Sequence, residues 1–116
     1  MSQSVRWVVR GVHGRVRANF NWPGVITARS VVHITAGQVG VGTTQIRPTP
    51  PFQDFFYHRG DADVWVSNIS PHRNEFRGDD PGGVSFILHV DWGSPLDVAV
   101  TITVEDALPV EIQGFR

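Results

Sequence analysis

Apolar residues recur at every second position through most of this chain, and no other feature of the sequence constrains the fold as much. Between residues 11 and 22 the even positions are apolar, with Val12, Val16, Ala18, Phe20 and Trp22, while polar residues fill most positions between them. Successive side chains of a β-strand point to opposite faces, so this spacing predicts a strand with one buried face. Almost no segment shows the 3.6-residue period of a helix.

Further strands are predicted on both sides of this one. The alternation in Val5–Val9 changes phase near Gly11, which predicts a turn or a β-bulge there. Residues 25–36 alternate again, and residues 38–46 form a weaker strand that is loosened by glycines. The prolines of residues 47–62 exclude a regular ladder, which makes this the longest irregular segment.

Three more predictions concern the second half of the chain. Residues 63–70 form a short strand that Pro71 ends. Residues 82–92 and 96–106 both alternate strongly and are joined by a Gly-Ser-Pro turn. We therefore predict that they pair as a hairpin with one dry and one wet face.

About seven or eight strands separated by Gly and Pro turns are typical of an all-β fold. A chain of 116 residues suits one domain. The prediction is a single antiparallel β-sandwich domain spanning residues 1–116, with a small β-barrel as the alternative.

Composition excludes several functional classes. The net charge of −1 gives no basic field for nucleic acid, and all ten basic residues are Arg, which we attribute to a bacterial-like genome composition. The chain has no cysteine, so disulfides and thiolate metal sites are excluded. No secretory signal pattern or membrane-spanning apolar run occurs, so we expect a cytoplasmic protein, with non-classical export left open.

The tripeptide Arg-Gly-Asp occurs twice, at residues 59–61 and 77–79. Both copies stand where the strand pattern requires a connection, and Gly and Asp are favoured turn residues. We interpret them as turns in preference to an adhesion signal.

The same connections carry Asp61, Asp63, Asp79 and Asp80. Carboxylates are the oxygen ligands that Ca²⁺ prefers. If the two acidic turns converge, these four residues are candidate Ca²⁺ ligands, and otherwise we expect no cofactor.

His89 and Asp91 provide a second candidate metal site. Their i, i+2 spacing on a strand places both side chains on one face, where one more ligand could complete a zinc or iron site. The alternative is two polar residues on a wet strand face.

Aromatic residues crowd the proline-rich segment. Phe52, Phe55 and Phe56 are candidate contacts to a second copy of the chain, because aromatics are enriched in interface cores. Tyr57 and His58 are candidate ligand-binding residues. A loop that folds back onto the core is the remaining alternative.

A stripe of hydrogen-bond donors lies on one face of the strand within residues 11–22. Arg15, Arg17 and Asn19 could bind sugar hydroxyls, sulfate or phosphate, and could equally be the solvated side of a strand. We include all three among the candidate ligand-binding residues.

Four tryptophans occur in the chain. The alternation predicts that Trp7, Trp22 and Trp92 face the core. Trp65 has no assigned side, and because exposed Trp rings stack on the C–H faces of sugars, it is the candidate ligand-binding tryptophan.

Three functions are compatible with these residues. The first is a non-enzymatic, lectin-like module that binds carbohydrate and acts as a homo-oligomer. The second is a structural or assembly subunit without a small ligand. The third is a small metal-dependent enzyme centred on His89 and Asp91.

Overall fold

A computed structural model describes residues 2–46, 53–74 and 78–114, with the backbone alone described at 41–46 and 53–55. These ranges contain seven strands and no helix. The strands are β1 (Gln3–Val12), β2 (Gly14–Asn21), β3 (Val31–Ile46), β4 (Gln53–Tyr57), β5 (Asp63–His72), β6 (Gly83–Asp91) and β7 (Leu96–Glu105). Within the same ranges no helix is long and apolar enough to cross a membrane.

The strands form two sheets that enclose the core. One sheet has the order β1-β7-β3-β4 and the other has the order β2-β6-β5. Every described pairing is antiparallel. The predicted all-β sandwich is confirmed.

The predicted hairpin between the last two strands is wrong. β6 pairs with β2 and β5, whereas β7 pairs with β1 and β3, so the two strands are internal to different sheets. The bend at 92–94 carries the chain from one sheet to the other. Both strands still turn one apolar face to the same core, so their alternation predicts the core-facing residues without specifying the partner strand. The opposite faces are not wholly wet, because Ile87 and Ala99 on them are 2 % and 1 % exposed.

Three strand boundaries also differ from the prediction. Residues 22–30 form turns, so the third strand begins only at Val31, and it continues without a break to Ile46. Residues 53–57, predicted to be irregular, form β4 at a sheet edge. β5 passes Pro71 and ends at His72, which an edge strand permits because the missing N–H breaks no ladder bond on the open side.

The predicted irregularity near Gly11 is confirmed. The β1–β7 register shifts between Val9 and Val12, and Gly11 has a φ of 70°. Its backbone N–H donates to Asp97 Oδ1 at 3.0 Å. This bulge ends β1 just before the chain crosses to β2 in the other sheet.

The core lies between the two central strands. Val84, Phe86 and Leu88 of β6 meet Val100 and Ile102 of β7, and each is at most 2 % exposed. The aromatic side chains on β1 and β2 close one side of this core.

Trp7 and Phe20 have ring centroids 5.9 Å apart, and the same distance separates Phe20 from Trp22. Trp7 and Trp22 therefore face the core as predicted. The prediction for Trp92 is wrong: it is 45 % exposed, because it lies in the connection beyond the end of β6.

Candidate functional site

Polar side chains occupy most of the outer face of the β2-β6-β5 sheet, around Ile87 of β6, which is only 2 % exposed. This face alternates with the core positions of the same strands, and the strand register aligns its side chains in rows across the sheet. We call it the polar face, and it comprises Arg15, Arg17, Asn19, Trp65, Ser67, His72, Ser85 and His89.

Trp65 and His89 form the aromatic centre of the polar face. They are register partners on β5 and β6, and their rings stack with centroids 4.6 Å apart and planes inclined by 4°. Trp65 is nevertheless 46 % exposed. One face of the indole is thus covered by His89, and the rest of the ring remains accessible to a ligand.

Ser67 makes a second contact to the imidazole of His89, by hydrogen bonding. Its Oγ lies 2.7 Å from His89 Nε2, within hydrogen-bond distance. The hydrogen bond and the stacking together orient His89. A register shift follows directly after Ser67, and Asn68 has a φ of 56°, so the strand changes course at this point.

Arg15 lies beside the aromatic pair on the neighbouring strand of the sheet. It is the register partner of His89 on β2, so Arg15, His89 and Trp65 lie in one row. Arg17 occupies the next row on the same strand, and both arginines are exposed. Beside the row formed by Arg15, His89 and Trp65, a shallow depression of about 150 Å³ is lined by Gly14, Trp65, His89, Val90 and Asp91.

A second group of hydrogen bonds lies at the other end of the polar face. His72 Nδ1 is 3.0 Å from Asp80 Oδ1, and His72 Nε2 is 2.6 Å from Asn19 Oδ1. Ser85 Oγ donates to the same Asn19 oxygen at 3.0 Å, and Asn19 Nδ2 donates to Asn21 Oδ1 at 2.7 Å. Asn19 is therefore fixed by contacts to three strands.

Asp80 anchors this group to the backbone. It accepts N–H groups from Gly82 and Asn74, each at 3.1 Å. The Gly82 hydrogen bond is the largest influence that lowers the pKa of Asp80, with further lowering by His72 and by Asn74, while burial opposes the shift. An open depression of about 330 Å³ beside it is lined by Asn21, His72, Asn74, Asp79, Asp80 and Pro81.

The candidate ligand-binding residues separate into two groups. Trp65, Arg15, Arg17 and Asn19 share the polar face, although the sequence assigned no side to Trp65. Tyr57 lies on the other sheet. Its ring packs against Gly37, and the guanidinium of Arg6 is 5.7 Å from the ring centroid.

His58 is also remote from the polar face. It follows β4, is exposed, and donates its backbone N–H to the carbonyl of Gln38 at 2.9 Å. Tyr57 and His58 therefore do not join the other four candidate ligand-binding residues.

The candidate interface residues are described only in part. Phe52 and the side chain of Phe55 lie outside the described part of the chain. Phe56 is 57 % exposed, and its ring covers the position that a side chain at Gly40 would occupy.

The acidic turns do not converge. Asp61 and Asp63 lie at the start of β5, whereas Asp79 and Asp80 lie near its end, and ten residues of strand separate the two ends by about 30 Å. The described residues contain no group of three or more His, Asp or Glu side chains placed to share a metal ion. The convergence that the Ca²⁺ hypothesis requires is therefore absent from this part of the chain.

The absence of such a group of metal-ligating side chains from the described residues also tests the candidate metal site at His89 and Asp91. They share one face of β6, as the spacing predicts, but His89 is engaged by Ser67 and Trp65. Among the described residues no third ligand completes a site there. The metal-enzyme hypothesis thus has no further geometric support.

Both Arg-Gly-Asp copies fall in connections between strands. Residues 59–61 join β4 to β5, and Gly78 and Asp79 form a turn before β6, while Arg77 lies outside the described residues. These positions agree with the interpretation as turns.

Sequence reasoning missed Ser67, His72 and Ser85 as members of the site. The alternation of β6 did place Ser85 and His89 on its wet face. The missing information was that β6 pairs with β5 and β2, which brings Ser67 and His72 to the same face.

Comparisons of this chain with protein-family models, with curated proteins and with solved structures find no match. We therefore infer function from the chemistry of the polar face.

Proposed function

We propose that the chain is a non-enzymatic carbohydrate-binding module and that its ligand lies across the polar face. The observation that carries the proposal is the exposed Trp65 ring, stacked on His89 in one row with Arg15. An aromatic ring fixed in this way presents an apolar surface to the C–H face of a sugar ring.

Hydrogen-bonding groups lie on the same face as this aromatic surface. The Arg15 and Arg17 guanidinium groups offer several directed donors, and Ser67 offers a hydroxyl that both donates and accepts. Sugar hydroxyls also donate and accept, so this mixture of groups suits them. A shallow, open face suits an oligosaccharide that is bound along its length better than a small molecule that must be enclosed.

A glycan array followed by calorimetry on the best ligand tests this proposal. Trp65→Ala should raise the Kd by at least about tenfold, because a central tryptophan often contributes about 2 kcal/mol or more to binding. Trp92→Ala is the matched control, since Trp92 is exposed to nearly the same degree, 45 % against 46 %, but lies off the polar face.

Two outcomes would contradict the proposal. One is the absence of any glycan ligand for the folded native protein. The other is a ligand whose affinity falls equally in the Trp65 and Trp92 variants, because that result would place it elsewhere.

A further inference from the structure

The segment that follows β7 carries alternating apolar residues that have no cover. Residues 106–114, which we call the trailing segment, pair with no strand among the described residues. Leu108, Val110 and Ile112 are 67 %, 82 % and 91 % exposed. A period of two belongs to a strand with one buried face, and within the described part of the chain nothing buries this face.

The described sandwich has an open edge at β2, and the apolar and charged side chains of β2 complement those of the trailing segment. β2 is hydrogen-bonded to β6 on one side only, and its register with β6 is unbroken from Gly14 to Asn21. Val16 on its core-facing register is 38 % exposed. Open edges of this kind bind extended segments by backbone hydrogen bonding, with side chains giving specificity.

We infer that the trailing segment adds as a strand to the β2 edge of a second copy of this chain. Its apolar residues then continue the core-facing side of β2 beside Val16. Glu111, which has the opposite parity, falls on the same side as Arg15 and Arg17. The segment thus complements β2 in hydrophobic pattern and in charge.

The reach of the chain favours a second copy over the same copy. β7 ends at Glu105, and a strand added outside β2 lies about two strand spacings and one sheet spacing away, which is about 14 Å. Three residues extend at most about 11 Å, so Leu108 cannot pair with the β2 edge of its own copy, whereas the segment of a second copy can pair over its full length.

Pro109 sets the orientation and limits the assembly. Proline has no backbone N–H, so the backbone edge to which Pro109 contributes must face away from β2. The backbone groups of residues 108, 110 and 112 then form the hydrogen bonds to β2. The outer edge of the added strand then lacks a donor, which opposes the addition of a further strand. Stable interfaces bury about 1,200–2,000 Å², and reciprocal exchange doubles the area that one segment buries, so we expect two copies to exchange their segments and form a closed dimer.

Sedimentation velocity on the full chain tests the inference. We expect a dimer at micromolar concentration. Val110→Asp should raise the dimer Kd by at least about tenfold, since it places an unpaired charge against an apolar edge. Gln113→Asp adds the same charge on the opposite parity and should leave the dimer within about threefold of the native Kd. Circular dichroism checks that both variants remain folded.

Cross-linking identifies the partner edge. Because the native chain has no cysteine, a maleimide reagent can react only with the cysteines that are introduced. A short bismaleimide should join Val110→Cys on one copy to Val16→Cys on another, and should not join Val110→Cys to Thr35→Cys on the other sheet. A monomer at all concentrations, a dimer unaffected by Val110→Asp, or cross-linking of Val110 to Val16 within one chain would each overturn the inference.

The exchange of trailing segments does not depend on the proposed carbohydrate binding. Trp65→Ala should weaken glycan binding by at least about tenfold without changing the dimer Kd, and Val110→Asp should raise the dimer Kd by at least about tenfold without changing the glycan Kd. Failure of one proposal therefore leaves the other testable.

Discussion

The indole of Trp65 lies flat on the imidazole of His89, with ring centroids 4.6 Å apart and an interplanar angle of only 4°. The two residues belong to neighbouring strands and face each other directly in the register. Stacking of this kind fixes the orientation of an exposed ring whose other surface remains in solvent.

His89→Ala should release Trp65. The stacked pair contributes about 1 kcal/mol beyond the area it buries, so we expect a loss of stability of that order and a more mobile indole. ¹⁹F NMR of protein labelled with 5-fluorotryptophan, with the signal assigned through Trp65→Phe, should show that resonance shift and sharpen.

Ser67→Ala is the matched control for this experiment. It removes the hydrogen bond to His89 but leaves the stacked rings in place, so the Trp65 resonance should move less. If the two variants change the resonance equally, the hydrogen bond and not the stacking holds the indole.

The Asp80 carboxylate should make stability depend on pH in the acid range. Its pKa is lowered in the folded protein, chiefly by the hydrogen bond from Gly82, so folding favours the ionised form. This contribution is present above the ordinary aspartate pKa of about 3.9 and is lost as pH falls through the lowered folded value.

Asp80→Asn should therefore be less stable than the native protein at pH 7, and the difference should shrink below about pH 4. Guanidinium unfolding at a series of pH values measures it. Asp79→Asn removes the same charge from the neighbouring residue, and an equal pH dependence in that variant would rule out a special role for Asp80.

Gly82→Ala should be strongly destabilising. Gly82 has a φ of 95°, and a Cβ at this position would overlap the backbone carbonyl of Ile26. We expect a loss of about 2–4 kcal/mol, because both the left-handed backbone and the overlap penalise a side chain.

Gly24→Ala separates these two causes. Gly24 also has a positive φ, 76°, but no atom lies within 4 Å of the position that a Cβ would occupy there. It should lose only about 1 kcal/mol in urea unfolding. Equal losses in the two variants would show that backbone strain alone is responsible.

Phe86→Ala should destabilise the sandwich more than truncation of any exposed aromatic residue. Phe86 is 1 % exposed in the centre of β6 and packs among buried aliphatic side chains, so its removal leaves a cavity in the core. We expect a loss of about 3–5 kcal/mol by thermal or urea unfolding. Trp92→Ala, at a residue 45 % exposed, should change stability far less.

Much of the fold could be predicted from single strands. The alternation in β2, β6 and β7 predicted which side chains face the core, and the phase change at Gly11 predicted the bulge. The acidic and glycine-rich turns were placed correctly between strands. Each of these properties depends on residues adjacent in the chain, where side-chain period and backbone preference act directly.

The candidate site could be predicted only in pieces. Arg15, Arg17 and Asn19 were recognised as one stripe because they share a strand. Trp65 had no assigned side, and His72 and Asp80 had no assigned hydrogen-bonding partner, because their position depends on strands that are distant in the sequence.

The amino-acid sequence by itself determined that this chain forms strands, which face of most strands is dry, and where the connections fall. The tertiary structure decided which strands are neighbours: β6 and β7 follow one another yet enter opposite sheets, and β5 joins β6 so that Trp65 meets His89. The physical reason is that alternation specifies a face, which any apolar surface can satisfy, whereas pairing is selected by the packing of both sheets at once.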